Sequence, residues 1–392
     1  MQRSSKKKQG GTGTLIKKEE MFTVDSIPHL VLPTTKINNE MKPQTPIKEK
    51  PTLPNPIKVF SMYSGILGFE VGLENGLGKQ NVEFIGRCEI DKYAEAIARY
   101  HQPNVKNYGD TTRIISTDIP DFNLLTGGFP CVSFSIAGKR KGFEDQRGNL
   151  FFEIARIIRD KRPKNFILEN VRGILSAGIT DEGGEIIKGT AGFVIKIIIA
   201  TLTELDYYVE AQLLNSTGFG VPQSRERLYI VGHSRNSSCR KIFPFVKNDS
   251  LSNQENETKE GRTQAQHSTT LRSTGNMKGD ATFVSVGTLR THNDGKGFRE
   301  TVSGHSPTIP ARAREDGSGQ PVIMEGDRIR RLTPVECERL QHFRDGYTQF
   351  GIDEKGKQIT ISDTQRYKVL GNAVTTSVPE YIAEQLYFPK SP

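Results

Sequence analysis

The chain has little from which to build a disulfide framework, a metal site or a membrane span. Its four cysteines, Cys88, Cys131, Cys239 and Cys337, are scattered, and no two form a C-x-x-C pair. Neither a zinc site nor a disulfide set is expected from that spacing, no metal is anticipated, and free thiols fit a reducing cytoplasm. No charge-free apolar run reaches the roughly 18 residues of a bilayer span; the most apolar segment, Phe193 to Ala200, is far shorter. No secretory signal is expected from the opening residues. What is present is length and positive charge. The 392 residues can bury a full α/β core and carry a second domain. A formal charge of +9 favours a polyanionic partner.

Residues 1–55 hold Lys6-Lys7-Lys8 and a Pro/Lys/Thr-rich tract from Pro43 to Pro56, without apolar periodicity. A disordered basic extension is expected, with a short helix conceivable around Val24 to Leu32. Order is expected to begin with a strand at Ile57 to Met62. A glycine-bearing turn and helix follow, Tyr63-Ser64-Gly65-Ile66-Leu67-Gly68-Phe69-Glu70, where bare backbone can approach a cofactor. A second strand, Val82 to Cys88, ends in Glu89-Ile90-Asp91, placing an acid where ribose hydroxyls are bound in dinucleotide folds. Asp91 is expected to cap a helix from Lys92 to Tyr100.

The next apolar run, Phe122 to Thr126, leads into Gly127-Gly128-Phe129-Pro130-Cys131. It reads as a buried parallel strand ending in a tight turn, with the two glycines supplying unusual dihedrals and Pro130 fixing its own φ. Cys131 is thereby presented at a strand's carboxyl end, where a thiolate could act as nucleophile. A small buried Cys remains the plainer alternative. The segment Gly138 to Gly148, with Lys139, Arg140 and Lys141, is polar and basic, and suits a mobile lid over a polyanion or an ordinary solvated loop. A helix is expected over Asn149 to Lys161, then a strand Asn165 to Leu168 ending in Glu169-Asn170-Val171. Further on come a helix Phe193 to Asp206 and a strand Tyr208 to Leu214. Gln223-Ser224-Arg225-Glu226-Arg227 then precedes a strand Leu228 to Gly232. Alternation along an extended chain puts Gln223, Arg225 and Arg227 on one face, and each Arg offers a rigid donor fork.

From His233 to Gly326 the chain is polar and Gly/Thr/Asn/Ser-rich, with strands expected only at Thr282 to Val286 and Pro321 to Met324. Its arginines, among them Arg290, Arg299 and Arg312, suit base edges or phosphates equally well. Asn248 to Gln266 reads as a disordered insertion. Thr333, Pro334 and Glu336 have the pattern of a capping box. A last helix is expected over Val378 to Leu386.

Taken together, Pro130-Cys131, the Gly-Lys-Arg-Lys-Gly-Phe loop, Asp145-Gln-Arg-Gly-Asn-Leu-Phe-Phe, Glu169-Asn-Val, Gln-x-Arg-x-Arg and Gly371-Asn372 resemble the DNA cytosine-5 methyltransferases, over residues 57 to 388. The resemblance implies a Rossmann-like α/β domain with a mainly parallel sheet plus a smaller, loop-rich target recognition domain. The corresponding boundaries are a basic extension 1–55, a catalytic and cofactor-binding domain 56–232, a recognition domain 233–326 and a C-terminal segment 327–392. Residues 367–388 of that segment would return to the catalytic domain. The implied reaction moves a methyl group from S-adenosylmethionine to C5 of a flipped cytosine through a covalent bond between Cys131 and C6. Glu169 would engage N3 and Arg227 O2. Arg225 would meet the nucleotide's phosphate and support the Cys site. Tyr63, Ser64, Gly65, Ile66, Gly68, Glu89, Ile90, Asp110, Pro130, Leu150, Asn372 and Ala373 would hold the cofactor. Ser135, Lys139, Arg140, Lys141, Gln223, Arg290, Arg299 and Arg312 would face DNA or belong to the lid. Leu67 replaces a usual third glycine, and Val132 replaces a usual Gln. Double-stranded DNA is the implied partner, with a separately acting restriction endonuclease conceivable and a monomer in the cytoplasm expected. The same chemistry on tRNA, or a silent DNA-binding relative, are the alternatives. The long recognition segment argues against the first of these and the intact Cys, Glu and Arg set against the second.

Overall fold

The computed structural model describes residues 50–130, 134–135, 150–180, 186–236, 241–243, 284–289, 298–301, 304–311, 321–325 and 328–388. The expected helix around Val24 to Leu32 and the insertion Asn248 to Gln266 lie outside the described residues.

A six-stranded sheet positions the site. Strand β1 (Ile57–Met62) pairs in parallel with β2 (Val82–Cys88) on one side and β3 (Leu124–Gly128) on the other, and β3 pairs in parallel with β4 (Asn165–Val171). Strands β5 (Tyr207–Asn215) and β6 (Glu226–Ser234) are antiparallel additions, giving the order β2-β1-β3-β4-β6-β5. The central strands are apolar on both faces because both are covered. Phe60, Met62, Leu125, Phe166 and Leu168 pack with α3 (Leu150–Lys161) and α4 (Phe193–Glu204). Alternate residues Val59, Leu124 and Ile167 pack instead with α1 (Gly68–Leu77) and the C-terminal helix. Among the described residues no helix is long and apolar enough to cross a membrane.

Helix α2 (Lys92–His101) starts where expected, its N-cap Asp91 accepting from Tyr93 and Ala94 N–H, both at 3.0 Å. Helix α5 (Pro334–Leu340) carries the full capping box of Thr333 and Glu336. The chain then forms α6 (Asp363–Asn372) and α7 (Ser377–Tyr387). Helix α6 had no expected counterpart, nor had the hairpin of Phe350–Ile352 with Gln358–Thr360. Their weak amphipathic signal follows from burial against α2 and α5 rather than against a single broad face.

Strand lengths depart from expectation in a consistent direction. Glu169 and Asn170 lie inside β4 rather than after it, and Arg227 lies inside β6, because these two strands hold each other by antiparallel pairing as far as Val171 and Arg227. Strand β6 also runs to Ser234, past the 232 boundary. Beyond the two strands expected in the polar region, β7 (Val284–Leu289) and β9 (Pro321–Glu325), there is β8 (Phe298–Glu300), and with β10 (Arg328–Arg331) of the following segment they form an antiparallel sheet in the order β8-β7-β9-β10. Its Val286 and Ile323 share a core with Ile97, Leu340 and Leu370. Gly127 and Gly128 sit within β3 and neither has a positive φ, so the turn dihedrals expected of them are absent. Their use is close approach: a Cβ on Gly128 would stand 3.3 Å from Oε2 of Glu169.

Candidate active site

The carboxyl ends of the four parallel strands open onto a cavity of about 370 Å³, the place where open α/β sheets bind ligands and a volume typical of small-molecule sites. One wall is the turn after β1. Tyr63, Gly65 and Leu67 all have left-handed φ, 56°, 55° and 69°, which coils the chain tightly between strand and helix. The Tyr63 hydroxyl lies 2.9 Å from Thr111 Oγ1 and donates to the Leu150 carbonyl at 2.8 Å. Burial pushes this phenol's pKa up.

Glu89 ties that turn to the end of β2. Its Oε2 accepts from Gly65 N–H at 2.7 Å, and its Oε1 accepts from Ile90 and Asp91 N–H at 2.9 and 2.7 Å. Burial raises its pKa against the opposing pull of these donors. Asn107, which sequence reasoning passed over, fixes Glu89 in turn: its Oδ1 accepts from Glu89 N–H and Gly109 N–H, both at 3.0 Å, and its Nδ2 donates to the Glu89 carbonyl at 2.9 Å. A side-chain amide does both from its two ends, and the Asn-Tyr-Gly turn was the available hint. Ile90 is 78% exposed along the cavity, an apolar surface free to meet a flat ring. Asp110 caps a short turn by accepting from Thr112 N–H at 3.0 Å and Thr112 Oγ1 at 2.8 Å, and these bonds hold its carboxyl below the usual range.

Tyr63, Gly65, Glu89, Ile90, Asp110, Pro130, Leu150 and Asn372 thus line one cavity. Other expected cofactor residues do not. Ile66 is buried in the core shared with α2. Ser64 is buried and not part of the lining. Gly68 faces the C-terminal segment, where an added Cβ would meet the Val374 carbonyl at 2.8 Å. Ala373 is buried and offers its carbonyl to Arg225. In these cases the glycine-rich turn serves helix packing as much as an open pocket.

At the other end of the cavity Glu169 and Arg227 form an ion pair, Oε1 to Nε 2.8 Å. Burial raises the Glu169 pKa, opposed by Arg227 and Arg225. Asn170 Nδ2 donates to the Phe129 carbonyl at 2.8 Å, so the strand bearing Glu169 also holds the backbone two residues before Cys131. Arg225 is only 3% exposed; its Nη2 donates to the carbonyls of Gly371 and Ala373 at 3.1 and 2.7 Å. Desolvation, aided by Arg227, brings its pKa down to about 10, which leaves it charged at neutral pH. Gln223 departs from expectation. It is 0% exposed, and its backbone pairs with Ser306 in a short parallel bridge, so it does not present a surface to DNA. Cys131, Lys139, Arg140, Lys141, Arg290 and Arg312 lie outside the described residues, and Ser135 and Arg299 are described in backbone only.

The sequence pattern of the family described as C-5 cytosine-specific DNA methylase matches residues 57–387. The chain belongs to that family. This DNA methylase uses S-adenosylmethionine to methylate C5 of cytosine, through the covalent route of its family. It is 36% identical over 340 residues to the type II methyltransferase M1.ScrFI of Lactococcus lactis subsp. cremoris, covering 84% of this chain and 77% of that one. It is 34% identical over 376 residues to M.SsoII of Shigella sonnei, covering 88% and 85%. The fold is shared with the crystal structure of the S. pombe Dnmt2 methyltransferase, with TM-score 0.58, 19% identity, and 85% and 99% of the two chains covered.

The cavity fits S-adenosylmethionine. It has the volume, an exposed apolar side chain in Ile90, and open space at Gly65 where a Cβ would otherwise stand.

Proposed function

We propose that this DNA methylase is sequence-specific and that its reaction is carried by Cys131, Glu169, Arg225 and Arg227. The observation that carries the reading is the Glu169–Arg227 pair, held against the turn that leads into Cys131. A carboxyl whose pKa is raised by burial can donate to cytosine N3, and a guanidinium beside it can hold O2. Polarised in this way, C6 accepts the Cys131 thiolate and C5 becomes nucleophilic. Bound S-adenosylmethionine supplies an electrophilic methyl group. Loss of the C5 proton then expels Cys131. Tyr63, Gly65, Glu89, Ile90, Asp110, Pro130, Leu150 and Asn372 form the cofactor wall in this reading. The basic segment with Lys139, Arg140 and Lys141 closes over DNA, and Arg290, Arg299 and Arg312 belong to a recognition domain spanning 233–326. The catalytic domain is 56–232, and residues 367–388 return to it from the segment 327–392. Extruding the base costs a few kcal/mol, supplied by phosphate and groove contacts.

The type II names of the relatives support pairing with a separately acting restriction endonuclease. Free thiols support a cytoplasmic setting, and one chain carrying both sites supports a monomer. The test is a duplex with 5-fluorocytosine at the target, found by sequencing methylated DNA from expressing cells. Intact mass should show a covalent adduct that Cys131→Ser abolishes. An adduct that survives this substitution, or methylation of tRNA in place of duplex DNA, overturns the reading.

A further inference from the structure

The end of α6 and the turn into α7, residues 371–376, are gripped from three sides. From within, Arg225 donates to the carbonyls of Gly371 and Ala373. From α1, Gly68 and Gly72 come so close that an added Cβ would meet Val374 O at 2.8 Å and Thr376 O at 2.5 Å. From the end of α5, fully buried Gln341 spans the turn. Its Nε2 donates to the Leu370 carbonyl at 2.9 Å, its Oε1 accepts from the Thr375 hydroxyl, and its own carbonyl accepts from Thr376 N–H at 3.1 Å.

A side-chain amide that donates to one end of a turn and accepts from the other sets the distance between those ends. A buried amide also loses stability steeply if either bond is unmade. The turn so held supplies both acceptors of Arg225, whose Nε and Nη1 are buried and have no hydrogen-bond partner among the described residues. The direction of the Arg225 fork is therefore set by where Gly371 and Ala373 stand, and their place is set by Gln341. Gly371 leaves no slack, since a Cβ there would lie 2.6 Å from Ala311 backbone.

We propose that Gln341 is a positioning residue for methyl transfer, acting through the 371–376 turn on the orientation of Arg225 beside Glu169. The inference rests on the catalytic assignment of Arg225 and Glu169 made above. Neither Gln341 nor Thr375 lines the cavity, so the effect reaches the reaction through the backbone of the turn.

The test uses the full chain, duplex DNA and S-adenosylmethionine. Gln341→Met keeps the volume and removes both side-chain bonds; Thr375→Val removes one; Gln341→Glu keeps an acceptor but not the donor. At a temperature where circular dichroism shows a folded chain, kcat is expected to fall on the order of 10- to 100-fold for Gln341→Met, less for Thr375→Val, with KM for the cofactor, which Asn372 of the same segment would touch, changed by a smaller factor than kcat. In an Arg225→Lys background the further loss from Gln341→Met should be largely absent, because the group it positions is gone. A folded Gln341→Met or Thr375→Val chain with near-normal kcat, or losses that simply multiply with Arg225→Lys, overturns the inference. If Gln341→Met does not fold, Thr375→Val decides on the same criteria. Normal turnover in Glu169→Gln and Arg225→Lys would instead remove the catalytic assignment, so the two failures are distinguishable.

Discussion

Arg227 stands opposite Val171 in the β4–β6 ladder, and its guanidinium leans back along the strand to Glu169, Nε to Oε1 2.8 Å. The contact is diagonal, two pairs along from Tyr229, which faces Glu169 directly. Antiparallel pairing thus sets the spacing between the proposed acid and its guanidinium partner. Glu169→Gln removes the acid while keeping the shape, and turnover is expected to fall by about 10²–10⁴-fold. Burial raises the Glu169 pKa, so the wild type should lose kcat/KM as pH rises through that value. The variant's residual activity should lack this alkaline limb. Initial rates across pH at DNA concentrations well below KM check both points.

Glu70, on α1, is only 1% exposed, and burial pushes its pKa up to about 7 despite the Ser61 hydroxyl and Arg87. A raised folded pKa means stability that is full below the unfolded value near 4.5 and lost as pH rises through about 7. The loss above that pH is on the order of 3 kcal/mol. Glu70→Gln should therefore match the wild type at about pH 5 and be more stable at about pH 8.5. Urea melts at the two pH values decide it; equal stability of the two chains at the higher pH would refute the assignment.

Gly72 faces the start of α7, where a Cβ would meet the Thr376 carbonyl at 2.5 Å. The obstacle is backbone and cannot swing aside. Gly72→Ala is expected to destabilise the fold by about 1–3 kcal/mol although Ala is the better helix former. A denaturant midpoint equal to or above that of the wild type would contradict this.

Leu67 holds a left-handed conformation, φ 69°, with its side chain 1% exposed. Leu67→Gly relieves about 1–2 kcal/mol of backbone strain but forfeits burial worth about 2–5 kcal/mol. The burial term is larger, so the variant should be less stable by about 1–3 kcal/mol, read as a lower Tm. A gain in stability would mean that the strain dominates.

How much of this was legible beforehand can be traced residue by residue. The strand pattern from Ile57 to Cys88 and the Asp91 and Thr333 caps are local events, written in apolar runs and short polar side chains a few residues apart. They appear where the sequence places them. Glu169, Arg225 and Arg227 were also readable, because their motifs are contiguous. The burial of Gln223, the packing role of Gly68 and the bonds of Asn107 were not, since each depends on a partner from elsewhere in the fold.

The sequence alone determined the chemistry available: one thiol after Pro130, an acid at a strand end and two arginines in alternation, in an order that specifies the family. Only the tertiary structure decided which of these groups meet. The reason is physical: Arg225 and Gly371 are 146 positions apart along the chain, and no local periodicity encodes a contact that exists only after α1, α5 and the 371–376 turn have packed together.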